Sequence, residues 1–382
     1  MKRRQRILIY RLGSLGDTVV ALPCFHKVAQ TWPNAERIVL TNTPVNSKAP
    51  PLEAVMGRGG LIHETIAYPA GIRSLTEIRD LAGQIRSLAA DVLVYLAAPR
   101  GLPNAFRDAL FFKLCGFDQI VGLPYTHDLQ RCRDIPSPWS PSGVVKEYEC
   151  ERLARCIDSL GPIDLDDPMM WDLGLTQDEI QTGDAVLSAL AGSPYFAINT
   201  GGKVEAKDWG FRNWRTLLAR LTREYPDMGL VIVGSADDSA HAQLLTRAWS
   251  GPVVDLCGKV SPRECAAALR RAVGFIGHDS GPLHMASAVG VRCVGLFGNL
   301  NEPNRWHPRG EQHCIIHRMA GLEQITVDEV ADAVRDIVAT PFPQPLRELA
   351  DPMPLAPADC SMTEPLGLHQ LPGNAAVSAT TA

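Results

Sequence analysis

The sequence predicts an α/β fold with two doubly wound parallel sheets, one in each half of the chain. Short β-branched or apolar runs alternate with longer helical patterns over most of the 382 residues. That length is roughly two to three times an average domain. A stretch with linker chemistry, Gly161 to Pro168, divides the alternation. We therefore predict a first domain over 1–165, a second over 166–340 and a disordered tail over 341–382.

The elements follow from this alternation. In the first half we predict strands near 6–10, 37–41, 91–97 and 119–122, and helices over 17–31, 76–89, 104–114 and 146–160. In the second half we predict strands near 195–199, 229–234, 252–256, 273–277 and 292–297, and helices over 175–191, 211–225, 237–249, 261–271, 282–290 and 326–339. Residues 123–143 have four prolines and no periodicity, which predicts a long loop. Such halves leave a cleft at the carboxyl ends of their strands, where ligands bind.

Composition narrows the function classes. Apolar residues make up 46% and charged residues 21%, which is ordinary globular usage and excludes a collagenous or coiled-coil chain. The net charge of −5 disfavours nucleic acid as a partner. Ten cysteines without a Cys-x-x-Cys pair suit a reducing compartment. No uncharged apolar run has the ~18 residues of a spanning helix, so we expect a cytoplasmic protein with at most peripheral membrane contact.

The first candidate segment is Arg11-Leu12-Gly13-Ser14-Leu15-Gly16-Asp17-Thr18, between the first predicted strand and helix. Glycines at such a turn let the backbone approach a ligand, and the free amides of the helix attract anions. It is neither Gly-x-Gly-x-x-Gly nor a P-loop, so both nucleotide fingerprints fail. Asp17 at this position could act on a bound ligand, or it could simply cap the helix.

Two further segments follow strands of the second half. Residues 200–209, which begin Thr200-Gly201-Gly202-Lys203 and contain Lys207, combine glycines and lysines that suit a diphosphate, or form a solvated loop. Residues 277–290 place Asp279, Ser280 and Gly281 before Pro282, a favoured first residue of a helix, and His284 one turn later. The alternative for Asp279 and Ser280 is that they only cap the helix, and the alternative for His284 is a partly buried, hydrogen-bonded core histidine.

Together these segments resemble glycosyltransferase family 9, the lipopolysaccharide heptosyltransferases. The resemblance rests on Arg-Leu-Gly-Ser-Leu-Gly-Asp from residue 11, Lys-x-Trp from 207, Asp-Ser-Gly-Pro-x-His from 279 and Leu-Phe-Gly from 296, and it covers residues 6–338. It implies the GT-B fold, in which two Rossmann-like domains face a cleft. The acceptor would bind mainly to the first domain, and the sugar nucleotide, typically ADP-heptose, mainly to the second.

The resemblance also implies roles for individual residues. Asp17 would be the base for the acceptor hydroxyl, and Lys207 would neutralise the phosphates of the donor. The other donor-binding residues would be Thr200, Gly201, Asp279, Ser280, Gly281 and His284, with Asp237 or Asp238 on the ribose. After Leu-Phe-Gly the family usually has Pro-Thr-Asp-Pro, and this chain has Asn299-Leu300-Asn301-Glu302-Pro303, which leaves the exact donor open. On the acceptor side we place Arg11, Ser14, Gly16, Arg100 and Arg107.

The chemistry is that of an inverting transferase. Displacing a diphosphate from an anomeric carbon needs a base for the hydroxyl and positive charge for the leaving group, and a single in-line step inverts the centre. We therefore predict metal-independent transfer of heptose or a related sugar to a lipopolysaccharide core or other lipid-linked glycan, without a cofactor. The expected partners are a nucleotide sugar, a lipid-linked oligosaccharide and, transiently, the inner face of the cytoplasmic membrane.

Two rival functions remain at this point. A nucleotide-cofactor oxidoreductase would use the same fold class, but its dinucleotide fingerprint is missing. A non-catalytic sugar-nucleotide-binding protein would not need a base at Asp17, although a helix cap would look the same. Arg100 and Arg107, with Lys113, Arg131 and Arg133, would likewise serve either an acidic acceptor or an ordinary solvated face.

Overall fold

The computed structural model describes residues 4–43, 50–57, 59–72, 74–138, 140, 142–201 and 205–339. Within these ranges the chain forms two parallel sheets, one after the other, with helices on both faces. The predicted α/β class is therefore confirmed. The predicted tail over 341–382 lies outside the described residues.

The first sheet has five parallel strands. The elements in chain order are β1 (Arg6–Tyr10), α1 (Leu15–Val20), α2 (Leu22–Thr31), β2 (Glu36–Asn42), α3 (Leu52–Met56), β3 (Glu64–Tyr68), α4 (Leu75–Ser87), β4 (Val92–Tyr95), α5 (Leu102–Leu114) and β5 (Gln119–Val121). The strand order is β3-β2-β1-β4-β5. Four successive residues of β1 and all four of β4 are buried, as expected for inner strands covered on both faces.

A short connecting region leads to the second sheet. It contains the antiparallel pair β6 (Asp134–Pro136) and β7 (Val144–Lys146), followed by α6 (Glu149–Cys156) and α7 (Gln177–Ala185). The domain boundary that we predict at 165/166 falls between these two helices and stays a prediction.

The second sheet has six parallel strands in the order β10-β9-β8-β11-β12-β13. Its elements are β8 (Tyr195–Asn199), α8 (Phe211–Glu224), β9 (Gly229–Ile232), α9 (Ser239–Thr246), β10 (Val253–Asp255), α10 (Pro262–Leu269), β11 (Gly274–His278), α11 (Gly281–Ala288), β12 (Cys293–Phe297), β13 (Cys314–His317) and α12 (Val327–Ala339). The last helix packs Val330, Val334 and Ile337 into the core of this sheet.

Three local predictions are wrong. The helix over 17–31 is two helices that meet at Ala21, because Pro23 lies in the first turn of α2 and cannot continue a preceding helix. The strand β3 escapes detection because only Ile66 among its residues is buried, so it has no apolar run. The loop predicted over 123–143 contains the strand β6, which pairs antiparallel with β7 just after the predicted loop.

The two halves are packed against each other on one side of the cleft. Ala266 of α10 and Met285 of α11 belong to the apolar core that α1, α2 and α3 form with the first sheet. Arg263 of α10 is 2% exposed and donates to the carbonyls of Met56 (3.0 Å) and Leu173 (2.8 Å). This contact brings the carboxyl ends of both sheets to a common cavity. None of the described helices is both long and apolar enough to cross a bilayer.

Candidate functional site

A cavity of about 590 Å³ lies between the sheets, where the turns after β1, β8, β9, β10 and β11 meet. Most of the site residues that we predict line it, and they come from both halves of the chain. They are Ser14, Gly16, Asp17, Gly201, Lys207, Asp279, Ser280, Gly281 and His284. Thr200, Arg11, Arg100 and Arg107 do not line it. Its volume is in the usual range of small-molecule sites.

Asp17 is the third residue of α1, and its carboxylate is half-buried at the cavity wall. The Ser14 amide and the Ser14 hydroxyl both donate to Oδ2 of Asp17, at 2.7 and 2.9 Å. These are the bonds of a capping arrangement. Since both go to one oxygen, capping and contact with a ligand are compatible in Asp17.

Arg11 lies beneath this turn rather than on the acceptor side of the cavity. Its side chain is 1% exposed, and its guanidinium donates to the carbonyl of Leu96 and to the carbonyl of Asp17. Burial lowers the pKa of Arg11, while the charges of Asp17 and Glu149 act in the opposite direction. The buried guanidinium therefore positions the backbone that carries Asp17.

Lys207 and Asp279 form an ion pair on the opposite wall. Lys207 ends a short 3₁₀ turn after β8, and Asp279 follows β11. The Nζ of Lys207 lies 2.6 Å from Oδ2 of Asp279. The amide of Asn301 donates to the same oxygen. Asn301 comes from the segment in which this chain departs from the family pattern, and the sequence analysis does not assign it to the site.

The N-terminus of α11 is fixed by a chain of side-chain hydrogen bonds. Ser280 caps the helix, and its hydroxyl donates to Oδ1 of Asn199 at 2.8 Å. The Nδ2 of Asn199 in turn donates to the carbonyl of Val233 at 2.9 Å. Pro282 occupies the first turn, where its missing N–H costs nothing. Ser280, Gly281 and Pro282 line the cavity, so the N-terminus of α11, where helix amides lack partners within the helix, lies on its wall.

The first turns of α1 and α11 touch each other. A Cβ on Gly16 would lie 3.0 Å from Cδ2 of His284, and a Cβ on Gly281 would lie 2.7 Å from Cδ2 of Leu15. Glycine at both positions thus permits the close approach. Burial lowers the pKa of His284, whereas Asp279 and Asp17 raise it and Lys207 lowers it. The neutral ring of His284 lies among these three charged side chains.

His278 is a site residue that the sequence analysis missed. It is buried at the end of β11, and its Nε2 accepts hydrogen bonds from the Trp209 amide (3.1 Å) and the Trp214 indole (3.3 Å). Burial lowers its pKa to about 4, so the ring stays neutral and can accept. Through Trp209 it ties the turn that carries Lys207 to the strand that carries Asp279.

One end of the cavity has an apolar lining, and the carboxylate of Asp238 lies beside it. The apolar lining consists of Val233, Leu256, Val260, Pro262 and Cys265. Asp238, and not Asp237, is among the lining residues, and its Oδ2 accepts from the Ser235 amide (2.8 Å) and hydroxyl (2.6 Å). An apolar surface beside a carboxylate is compatible with a nucleobase and its ribose.

Arg100 and Arg107 meet outside the cavity, on α5 and the turn before it. Both pair with the carboxylate of Asp108, which is 7% exposed, and the Tyr95 hydroxyl donates to that carboxylate at 2.9 Å. Thr200 is buried behind the cavity wall. In the described part of the chain, no group of three His, Cys, Asp or Glu side chains is arranged to hold a metal ion.

Comparison with known proteins gives consistent results. In fold the chain is similar to a family 9 glycosyltransferase of Veillonella parvula, with a TM-score of 0.67 and 19% sequence identity. The match covers 89% of this chain and 99% of that protein. It is also similar to the Escherichia coli ADP-heptose LPS heptosyltransferase II, with a TM-score of 0.63 and 19% sequence identity. That match covers 88% of this chain and 99% of that protein. These likenesses confirm the predicted GT-B fold.

At the sequence level, a stretch of 131 residues is 31% identical to lipopolysaccharide heptosyltransferase 3 of Escherichia coli K12; the stretch is 34% of this chain and 37% of that relative. The profile of glycosyltransferase family 9 (heptosyltransferase) matches residues 80–329, which include Lys207, Asp279 and His284. The predicted family is thereby confirmed. This chain belongs to glycosyltransferase family 9, the heptosyltransferases.

Proposed function

We propose that the protein transfers heptose, with inversion and without a metal ion, from ADP-heptose to the core of a lipopolysaccharide or a related lipid-linked glycan. The reaction joins an acceptor hydroxyl to the anomeric carbon of the donor. The bond from that carbon to the diphosphate breaks, the diphosphate leaves with the electron pair, and the proton of the hydroxyl goes to a carboxylate.

One observation carries the proposal: a single cavity has a carboxylate from the first half facing a lysine and a helix N-terminus from the second. Asp17 has one oxygen engaged by Ser14, which leaves the other oxygen for the acceptor hydroxyl. Lys207 and the amides of α11 supply positive charge for the departing diphosphate. These groups do what a divalent cation does in other transferases, and this is why we propose a metal-independent reaction.

The chemistry of the second half supports this choice of donor. The apolar end of the cavity suits the base, Asp238 the ribose, and Lys207 the diphosphate, so the sugar would point toward Asp17. The similarity to an ADP-heptose heptosyltransferase and to a lipopolysaccharide heptosyltransferase supports ADP-heptose and a lipopolysaccharide acceptor. We expect the protein to act on such an acceptor at the cytoplasmic face of the inner membrane.

A two-stage experiment tests the proposal. First, ADP-, GDP-, UDP- and dTDP-sugars are compared by thermal shift, since a ligand that binds only the native state raises its melting temperature. We expect ADP-heptose at saturation to raise Tm by about 2 °C or more and the other donors to have smaller effects. Second, product formation is followed with an acceptor glycan in the presence of EDTA, and NMR gives the anomeric configuration of the product.

Each part of the proposal has an outcome that contradicts it. Loss of turnover in EDTA that added metal restores would overturn metal independence. Retention of the anomeric configuration would overturn the single displacement. Binding of ADP-heptose without any transfer would favour a non-catalytic binding protein.

A further inference from the structure

The outer face of α5 exposes a continuous apolar stripe. Phe106, Leu110 and Leu114 are spaced four residues apart and are 60%, 62% and 69% exposed. Residues with this spacing lie on one side of a helix. The opposite side of α5 is buried on the first sheet through Ala105, Asp108 and Phe112. We call Phe106, Leu110 and Leu114 the α5 stripe.

Cations flank this stripe on both sides. At 100° per residue, Arg107 and Lys113 lie about 60° to either side of Leu110. Both are exposed. The single acidic residue of α5, Asp108, is 7% exposed and faces inward to Tyr95, so the solvent side of the helix carries no acid. This charge pattern contrasts with the whole chain, whose net charge is −5.

We propose that the α5 stripe docks the protein on the surface of an anionic phospholipid bilayer. Single exposed apolar side chains are common, but an apolar helix face bordered by Arg and Lys is the pattern of a helix that lies in the membrane interface. The apolar side chains enter the acyl boundary while the cations meet lipid phosphates. A second copy of the chain fits less well, because pairing two such helix faces would bring their cations together.

The position of α5 connects this surface to the cavity. The helix starts just after the carboxyl end of β4, at the edge of the first sheet where the turn with Asp17 also lies. Arg100 stands at the start of α5 and is part-exposed. A glycan anchored in the bilayer would therefore approach the cavity along the first half of the chain. This last step rests on the proposed function, whereas bilayer binding itself does not.

The test is co-sedimentation of the full chain with vesicles, without donor or acceptor. Vesicles of phosphatidylcholine with phosphatidylglycerol are compared with vesicles of phosphatidylcholine alone, and we expect stronger binding to the former. Phe106→Ser combined with Leu110→Ser should lower binding at least about tenfold, because two apolar side chains no longer leave water. Lys113→Glu should reduce binding to the anionic vesicles selectively. The matched control is Leu244→Ser, on α9 of the second half, where the leucine is 47% exposed; it should bind like the unmodified chain.

Several results would overturn the proposal. They are absence of vesicle binding by the unmodified chain, equal loss in the Leu244→Ser control, and unchanged binding in the double variant. A dimer in sedimentation velocity that the double variant abolishes, without vesicle binding, would assign the stripe to a protein interface instead. Transfer to a water-soluble acceptor is measured in parallel and should be unchanged in the double variant. Failure of that transfer in the unmodified chain would count against the proposed function and leave the docking result standing.

Discussion

Lys207 and Asp279 form an ion pair on the wall of the cavity that the second half of the chain supplies, with Nζ 2.6 Å from Oδ2. Their side chains are 26% and 12% exposed, so the pair is shielded from water but open to the cavity. The pair joins the turn after β8 to the turn after β11. A diphosphate that enters the cavity would compete with Asp279 for the ammonium group. The charge of Lys207 is thus held in place before the donor arrives.

Lys207→Ala should lower turnover by about 10²- to 10³-fold, because it removes the cation that we propose stabilises the leaving diphosphate. The fold should tolerate the change, since the lysine lies on a turn and only one ion pair is lost. Turnover, donor affinity and Tm are measured on the same preparation. The matched control is Lys146→Ala, which breaks ion pairs with Asp134 (2.8 Å) on the β6–β7 hairpin and with Glu302 (3.3 Å). Equal turnover in the two variants would remove Lys207 from the site.

Much of the fold follows from burial patterns that a sequence displays directly. Strands such as β9 and β12 are buried along their whole length and appear as continuous apolar runs. The strand β3 has one buried residue, Ile66, and it is held by parallel pairing with β2, the preceding strand, across a helix-containing connection that a local window does not span. Local patterns carry no information on such pairing.

The candidate site shows a similar division. Side chains such as Asp17 and Asp279 could be predicted because each follows a strand, and the carboxyl ends of parallel strands converge. The positions of the arginine side chains could not be predicted in this way. Arg11 is bound by backbone carbonyls and Arg107 by the buried carboxylate of Asp108, and a charge in a sequence does not reveal whether its partner is water, a carbonyl or an acid. His278 escaped for the same reason, because its partners, Trp209 and Trp214, are distant in sequence.

Arg263→Met should destabilise the protein by about 3 kcal/mol or more. The buried guanidinium pairs with Glu179 (2.6 Å) and also donates to the carbonyls of Leu173 and Gly174 (2.8 and 2.7 Å). Removing one partner leaves a shielded carboxylate and several carbonyls unpaired. Urea unfolding measures the effect.

The matched control is Arg270→Met. Arg270 joins the same two helices, α10 and α7, through Asp184 at 2.8 Å, but both side chains are more exposed, at 25% and 35%. We expect a loss of about 0–1 kcal/mol there. Similar losses in both variants would show that burial does not set the contribution of Arg263.

The protein should lose stability as the pH falls from about 6.5 toward 4. Burial lowers the pKa of His278 and His313 to about 4 and that of His307 to about 3. In this pH range the unfolded chain binds protons that the native chain does not, so acid favours unfolding. His278 alone would account for about 2 kcal/mol between pH 7 and pH 5.

Urea unfolding at pH 7, 6 and 5 checks this slope. His313→Gln should make the slope shallower, because one group that titrates only in the unfolded chain is removed. The expectation would be contradicted if the free energy of unfolding stays constant or increases as the pH is lowered from 6.5 to 5.

Asp17→Asn separates a general base from a helix cap. Asparagine keeps the size of the side chain and an oxygen that accepts from the Ser14 amide, so capping and Tm should change little. It removes the group that takes the proton, so turnover should fall by roughly 10²- to 10⁴-fold. Donor affinity should be nearly unchanged, because in the proposed function the donor binds mainly to the second half of the chain.

The control is the same chemical change in a capping residue away from the cavity. Glu329 accepts from the Thr326 amide (2.8 Å) and hydroxyl (2.9 Å) at the start of α12, as Asp17 does from Ser14 at the start of α1. Glu329→Gln also weakens an exposed ion pair with Arg318, which contributes about 0–1 kcal/mol, so it should lower Tm at least as much as Asp17→Asn while leaving turnover intact. If Asp17→Asn transfers sugar at the rate of the unmodified chain, Asp17 is a cap only, and the proton must leave through another group. The fold and the family would be unaffected by that result, since neither depends on the role of this carboxylate.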